Sequence, residues 1–316
     1  MARGSEARCE NLAGGVSSDI WRVDLPSGRV CVKRALPRLR VAQLWEAPIE
    51  RNRYERMWLQ TAGAARPGAV PKVLAWDDAR GLFAMEFLDY PVWKSLLRSG
   101  AADAAFAAEV GAALAAVHSA TAGRAEVEAQ FGTDAIFHAI RLEPYLIATA
   151  ERHRDLGSSL RDLAQRTARA KRCLVHGDVS PKNILVGGEG PVRFPVFLDA
   201  ECAWYGDPAF DLAFCLNHLF LKCVWVPRAA EGFLACFDSL SRSYLAAVRW
   251  EPAAALEERA ATLLPGLLLG RIDGKSPVEY LDEPQRARVR EIARGFLARP
   301  VSTLKDLRKA WRESLT

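Results

Sequence analysis

The sequence predicts an α+β protein with two lobes, a small β-rich one over residues 1–88 and a larger, mostly helical one over residues 89–316. Three observations carry that prediction. Alternating apolar runs set off by glycine turns fill the chain up to Leu88, whereas after Tyr90-Pro91 most segments place apolar residues at helical spacing. Between Leu174 and Glu201 the helical regime is broken by two short apolar strands around Gly187-Gly188-Glu189-Gly190, and chemistry tends to sit at such interruptions.

In chain order, Gly14-Gly15, then Ile20 to Val23, then Pro26-Ser27-Gly28, then Val30 to Lys33 read as a glycine turn followed by a β-hairpin. A helix is predicted from about Ile49 to Gln60. Two further strands, Val70 to Trp76 and Leu82 to Leu88, flank the turn Asp77-Asp78-Ala79-Arg80-Gly81. The alanine-rich run Ala101 to His118 reads as a helix, as do most segments after Pro208. The aromatic stretch Phe214 to Trp225 reads as a core helix, and no internal repeat is present.

With 50% hydrophobic and 26% charged residues, the chain has material for a substantial core. Its formal charge of +5 is dispersed, which suits an anionic ligand and argues against a nucleic-acid track. The seven cysteines form no C-x-x-C pair, and Cys173, Cys202 and Cys215 lie in apolar runs, so reduced, buried thiols are expected. Met1 to Glu6 has no apolar stretch behind its charges, and no segment is read as the ~20 apolar residues of a membrane span. A cytoplasmic protein with no membrane partner is expected.

The most informative stretch is Val175-His176-Gly177-Asp178-Val179-Ser180-Pro181-Lys182-Asn183-Ile184-Leu185-Val186, followed by Phe197-Leu198-Asp199-Ala200-Glu201. Asp178 and Asn183 precede a hairpin whose far end delivers Asp199 and Glu201. Phosphoryl transfer needs a group that orients and deprotonates the acceptor hydroxyl, and oxygen ligands that hold magnesium against the phosphates. Either residue alone reads as a turn residue; together they point to that chemistry.

The segment resembles the catalytic and metal-binding motifs of the aminoglycoside phosphotransferase and choline kinase superfamily, whose fold is protein-kinase-like, and the match continues through Tyr205-Gly206-Asp207-Pro208-Ala209-Phe210-Asp211. The resemblance implies ATP and Mg²⁺ as cofactors and a small-molecule hydroxyl as acceptor. It implies Asp178 as the base, Asn183 and Asp199 as magnesium ligands, and Asp211 as a brace for the catalytic loop, with His176 as structural support. Asp199-Ala200-Glu201 is similar to the Asp-x-Glu of methylthioribose kinases, where Glu201 would complete a metal shell; the alternative is an ion pair with a nearby basic side chain.

In the N-terminal lobe, Lys33 resembles the lysine that holds the α- and β-phosphates, and Glu55 its ion-pair partner, with Glu50 as the rival. Gly14, Gly15, Ser17 and Ser18 form a turn able to set backbone N–H groups and hydroxyls against phosphates. Glu86 and Leu88 fall where the kinase-like fold has its interlobe hinge, whose main chain pairs with adenine. The similarity to methylthioribose kinases extends over Lys33 to Pro37, Arg40, Trp45 and Arg51, and over Arg271-Ile272-Asp273-Gly274 with Val278-Glu279. The chain departs from them with Gly270-Arg271 in place of paired arginines and with Asn183.

A sugar-like or ribose-like acceptor is favoured, with Arg271 placed near it. The alternatives are an aminoglycoside-type antibiotic kinase and a degenerate, nucleotide-binding regulatory protein. A protein kinase is disfavoured, because the A-P-E and D-F-G spellings are missing and Pro208 follows Asp199 by only nine positions. Gly270 to Ser276 mimics a phosphate loop but follows no strand. His118 and His218 read as packing residues.

Overall fold

The computed structural model describes residues 7–12, 18–38, 48–190 and 192–315. As the sequence predicts, an antiparallel sheet near the N-terminus is followed by a larger helical part. The strands β1 (Arg8–Asn11), β2 (Ser18–Leu25), β3 (Gly28–Ala35), β4 (Val73–Asp77) and β5 (Leu82–Glu86) pair in the order β1-β2-β3-β5-β4. Of these five, only β1 has no counterpart in the predicted strands. Helix α1 (Arg51–Ala65) crosses between β3 and β4 and buries Glu55, Trp58, Leu59 and Ala62 on one side. Period-two alternation turns Cys31, Lys33 and Ala35 of β3 to the buried face, so Lys33 is carried inward by register alone.

Beyond the sheet come α2 (Trp93–Ser99), α3 (Ala104–Thr121), α4 (Ala125–Gln130), α5 (Asp134–Phe137), a π-helical stretch His138–Ile147, α6 (Ala148–Arg152) and α7 (Gly157–Arg169). Four short strands follow: β6 (Cys173–Val175), β7 (Ile184–Gly187), β8 (Phe194–Phe197) and β9 (Trp204–Gly206). They pair as two ribbons, β6 with β9 and β7 with β8. The chain closes with α8 (Pro208–Trp225), α9 (Ala230–Ala247), α10 (Ala253–Asp273), α11 (Glu283–Ala298) and α12 (Leu304–Leu315). The phosphate-loop mimic at Gly270 is thus the last turn of α10 and the loop after it.

Helix α3 is long and apolar enough, by length and composition, to cross a membrane, a correction to the expectation that no segment is. It lies inside the helical lobe, with Phe106, Val110, Leu114 and Val117 buried. A Cβ at Gly111 would stand 2.3 Å from the Leu240 carbonyl oxygen, so glycine lets α3 and α9 touch backbone to backbone. One hydrophobic cluster runs from Cys31 and Trp58 through Phe210 and Phe214 to Trp311 and joins the sheet to the helices. All seven cysteines are unbridged, and six are buried.

Candidate active site

The hairpin β7–β8 and the ribbon β6–β9 leave two loops facing each other, 176–183 and 198–203. Gly177 has φ +80°, and a Cβ there would stand 2.7 Å from both the Cβ and the carbonyl oxygen of Cys202, so the two loops close on each other only around glycine. The carboxylate of Asp211, in the first turn of α8 and fully buried, accepts the backbone N–H of His176 at 2.7 Å and of Gly177 at 2.8 Å. His118 of α3 completes the brace, with Nε2 3.2 Å from Asp211 and Nδ1 2.7 Å from the Tyr244 hydroxyl. His176 joins the loops itself: Nδ1 accepts the N–H of Asp178 at 3.1 Å, and Nε2 lies 3.1 Å from the Leu198 carbonyl. Burial pushes its imidazole below the ordinary histidine value, so it is neutral, with the proton on Nε2.

Asp178, 5% exposed, bonds Arg141 at 3.0 Å and Lys182 at 3.3 Å through one carboxylate oxygen. Asn183 donates its side-chain N–H to the Asp178 carbonyl at 3.1 Å, which leaves Oδ1 as the atom able to take a cation. Asp199 has φ +66°, the only positive value among the described non-glycine residues. A left-handed aspartate is tolerable but costly, and it persists here at the point where the strand β8 delivers a carboxylate to the loop. Lys33 bonds that carboxylate and also Glu55, at 2.7–2.8 Å. Burial alone would push the ammonium down, but Asp199 and Glu55 outweigh it and hold Lys33 above its ordinary value. Burial would likewise raise Asp199, and Lys33 and then Lys182 hold it well below the usual carboxylate range. Glu50 stands at the start of α1, outside this pair.

The structure brings together Lys33, Glu55, His176, Asp178, Asn183, Asp199, Glu201 and Asp211. Of the two roles read for Glu201, the one shown is the ion pair: Arg51 donates Nε to Glu201 at 2.9 Å and its other nitrogens to the carbonyls of Pro48 and Leu36. One carboxylate oxygen of Glu201, Oε2, is thereby held by a fully buried guanidinium. No group of three His, Cys, Asp or Glu side chains among the described residues is placed to hold a metal ion. Asn183 and Asp199 supply two oxygen donors, which fits an ion that takes its remaining ligands from phosphates and water. Replacing Glu201 with Gln is expected to cost about 1–3 kcal/mol of unfolding free energy, the range for weakening a buried bond to a charged group. The magnesium midpoint should stay put. Urea denaturation beside a magnesium titration checks this, and a shifted midpoint with unchanged stability would return Glu201 to the metal.

Gly14, Gly15 and Ser17 lie outside the described residues, as do Arg40 and Trp45. Ser18 opens β2 and is buried, with its hydroxyl bonded to nothing among the described residues. Glu86 pairs with Lys72 through both N–H and carboxylate, while Leu88, two residues past the end of β5, makes no hydrogen bond among the described residues. Arg271, half-buried at the end of α10, donates to Ser276 and to the Tyr145 hydroxyl, the latter at 3.3 Å. Arg141 carries no sequence signal, since it sits in a π-helical stretch that matches no regular periodicity, and the partner of Lys182 emerges only in the fold.

A model of the phosphotransferase enzyme family matches residues 8–241. No curated protein sequence matches significantly. Among solved structures, the chain resembles a Plasmodium vivax ethanolamine kinase at 12% identity and TM-score 0.54, covering 100% of this chain and 82% of that one. It resembles a choline/ethanolamine kinase family protein from Mesorhizobium loti at 16% and 0.53, covering 97% and 92%. An amicoumacin kinase in complex with AMP-PNP, Ca²⁺ and Ami matches at 14% and 0.55, covering 95% and 91%. At these identities the likeness is one of fold.

Proposed function

The chain belongs to the phosphotransferase enzyme family, small-molecule kinases acting on hydroxyl groups, and from that premise we propose that it moves the γ-phosphate of ATP to a small polyhydroxylated, sugar-like or ribose-like acceptor. The observation that carries this reading is the pairing of Asp178 with Asn183 and Asp199 across a loop braced by Asp211, opposite the Lys33–Glu55 pair. The amicoumacin kinase in complex with AMP-PNP supports ATP as the donor.

In this reading Asp178 accepts the proton of the acceptor hydroxyl as its oxygen attacks, and Lys33 meets the phosphates. Magnesium bound at Asn183 and Asp199 would neutralise charge that develops on the phosphate oxygens. Ser18 suits a phosphate because its buried hydroxyl has no partner among the described residues, and Leu88 suits adenine through its main chain. The surroundings of Asp178 favour a neutral or anionic acceptor over a polycationic antibiotic, since Arg141 and Lys182 pair with its carboxylate and Arg271 lies near the same Tyr145 ring as Arg141.

The test is ADP release with ATP and magnesium against a panel of sugars, ribosides, amino alcohols and aminoglycosides. A polyol or sugar is expected to be the fastest acceptor. Faster phosphorylation of any aminoglycoside would overturn the acceptor class, and ADP release by none of the panel would favour the regulatory alternative.

A further inference from the structure

Helix α8 carries Lys222, which is only 1% exposed. Its Nζ lies 3.5 Å from the centroid of the Tyr280 ring and 4.3 Å from that of Trp225, two rings whose centroids are 4.4 Å apart. Nζ makes no hydrogen bond or ion pair among the described residues. A buried ammonium with no anion lowers stability, and the ring contacts return only part of that loss, so folding alone gives no reason for a lysine here. The two rings also line a cavity of about 530 Å³, whose wall includes Lys94, Arg98 and Glu279. Glu279 is already bonded to Lys94, so positive charge predominates.

This cavity borders the strand that follows the catalytic loop. Val92, on its wall, bridges to Leu185, two residues after Asn183. Arg271, whose field reaches Lys222, Glu279 and Tyr280, lies 5.8 Å from the centroid of the Tyr145 ring. Arg141 lies 5.7 Å from the same centroid and bonds Asp178. Arg141, bonded to Asp178, and Arg271, whose charge acts on Lys222, therefore share the Tyr145 ring.

Resting on the kinase reading above, we propose that the acceptor carries an anionic group, a carboxylate or a phosphate ester, besides its hydroxyl, and that Lys222 recognises that group. An aromatic pair of this kind also suits an ammonium ligand, but here the lysine's own Nζ already lies against both rings. A cation entering the cavity would meet the charges of Lys94 and Arg98 on its wall. Burial, and then Lys94 and Arg271, push Lys222 down to about 6 against the pull of Glu279; Arg98 faces the same cavity from α2, and His218 lies on α8 itself. The free lysine is therefore mostly neutral at pH 7, and an arriving anion restores its proton. Binding of the anion is then strongest below pH 6 and weakens as the pH rises toward the higher value that Lys222 has in the complex.

The test compares acids with neutral partners in wild type and in Lys222→Met, whose unbranched side chain suits the aromatic pair. D-glycerate is set against glycerol, D-gluconate against D-glucitol, and ribose 5-phosphate against ribose, with 1-amino-2-propanol as the cation. Binding in the presence of AMP-PNP is measured by calorimetry, and turnover by ADP release. At least one acid should bind wild type about tenfold or more tighter than its neutral partner, as a bond to a charged group provides. That ratio should fall toward one in Lys222→Met, through KM more than kcat, and the KM for the acid should rise with pH above about 6 only in wild type. The carboxylate and phosphate arms identify the anion. Equal binding of every acid and its neutral partner, preference for the amine, or a ratio unchanged by Lys222→Met would overturn the proposal. Acid binding that depends on Lys222 without any ADP release would support it and sink the kinase reading instead.

Discussion

Asp178→Asn is expected to lower kcat by roughly 10²–10⁴, the range for loss of a general base, while nucleotide affinity stays within a few-fold of wild type. The amide keeps the volume of the carboxylate and leaves the backbone N–H on His176 undisturbed. What it removes is the negative oxygen that faces Arg141 and Lys182, and with it the group able to take a hydroxyl proton. Because Arg141 is buried and would lose its counter-charge, part of any deficit could come from stability. A melting curve and an AMP-PNP titration on the same preparation separate the two effects. Turnover near wild type in a folded, nucleotide-binding Asp178→Asn would end its assignment as the base.

Asp199→Asn is expected to cost about 10²–10³ or more in turnover, the scale for removing one group that stabilises charge at the transferring phosphoryl. Asparagine is the informative substitution because it tolerates a φ of +66°, whereas alanine there would add about 1–2 kcal/mol of backbone strain to the chemical loss. Lys33 keeps Glu55 in the variant, so the fold of the sheet lobe should survive. Magnesium titrations at saturating ATP check the point. A variant that reaches wild-type rate at the wild-type magnesium concentration would show that Asp199 holds no metal.

Alternation and spacing made much of this molecule legible. The hairpin of β2 and β3, helix α1, the strand after Asn183 and the core helix α8 each announce themselves through the periodicity of their apolar residues. The pairing of β6 with β9 does not, because three-residue strands carry too little pattern to specify a partner some thirty residues away. Site residues divide the same way. Asp178, Asn183 and Asp199 sit within one short stretch of sequence, so their types and order were enough to suggest the chemistry.

What the sequence determined by itself was the class: a sheet followed by helices, and a chain whose acidic residues stand in the order that phosphoryl transfer uses. Only the tertiary structure decided which charges meet. Arg51 reaches Glu201 across 150 positions, Lys33 reaches Asp199 across 166, and Arg141 reaches Asp178 from a π-helical stretch. Lys222 looked like any lysine on a helix until Trp225 and Tyr280 closed around it. Periodicity is a property of neighbours along the chain and is written in the sequence. A charge's partner is set by distances of a few ångströms between segments far apart in the chain, and those distances exist only once the core has packed.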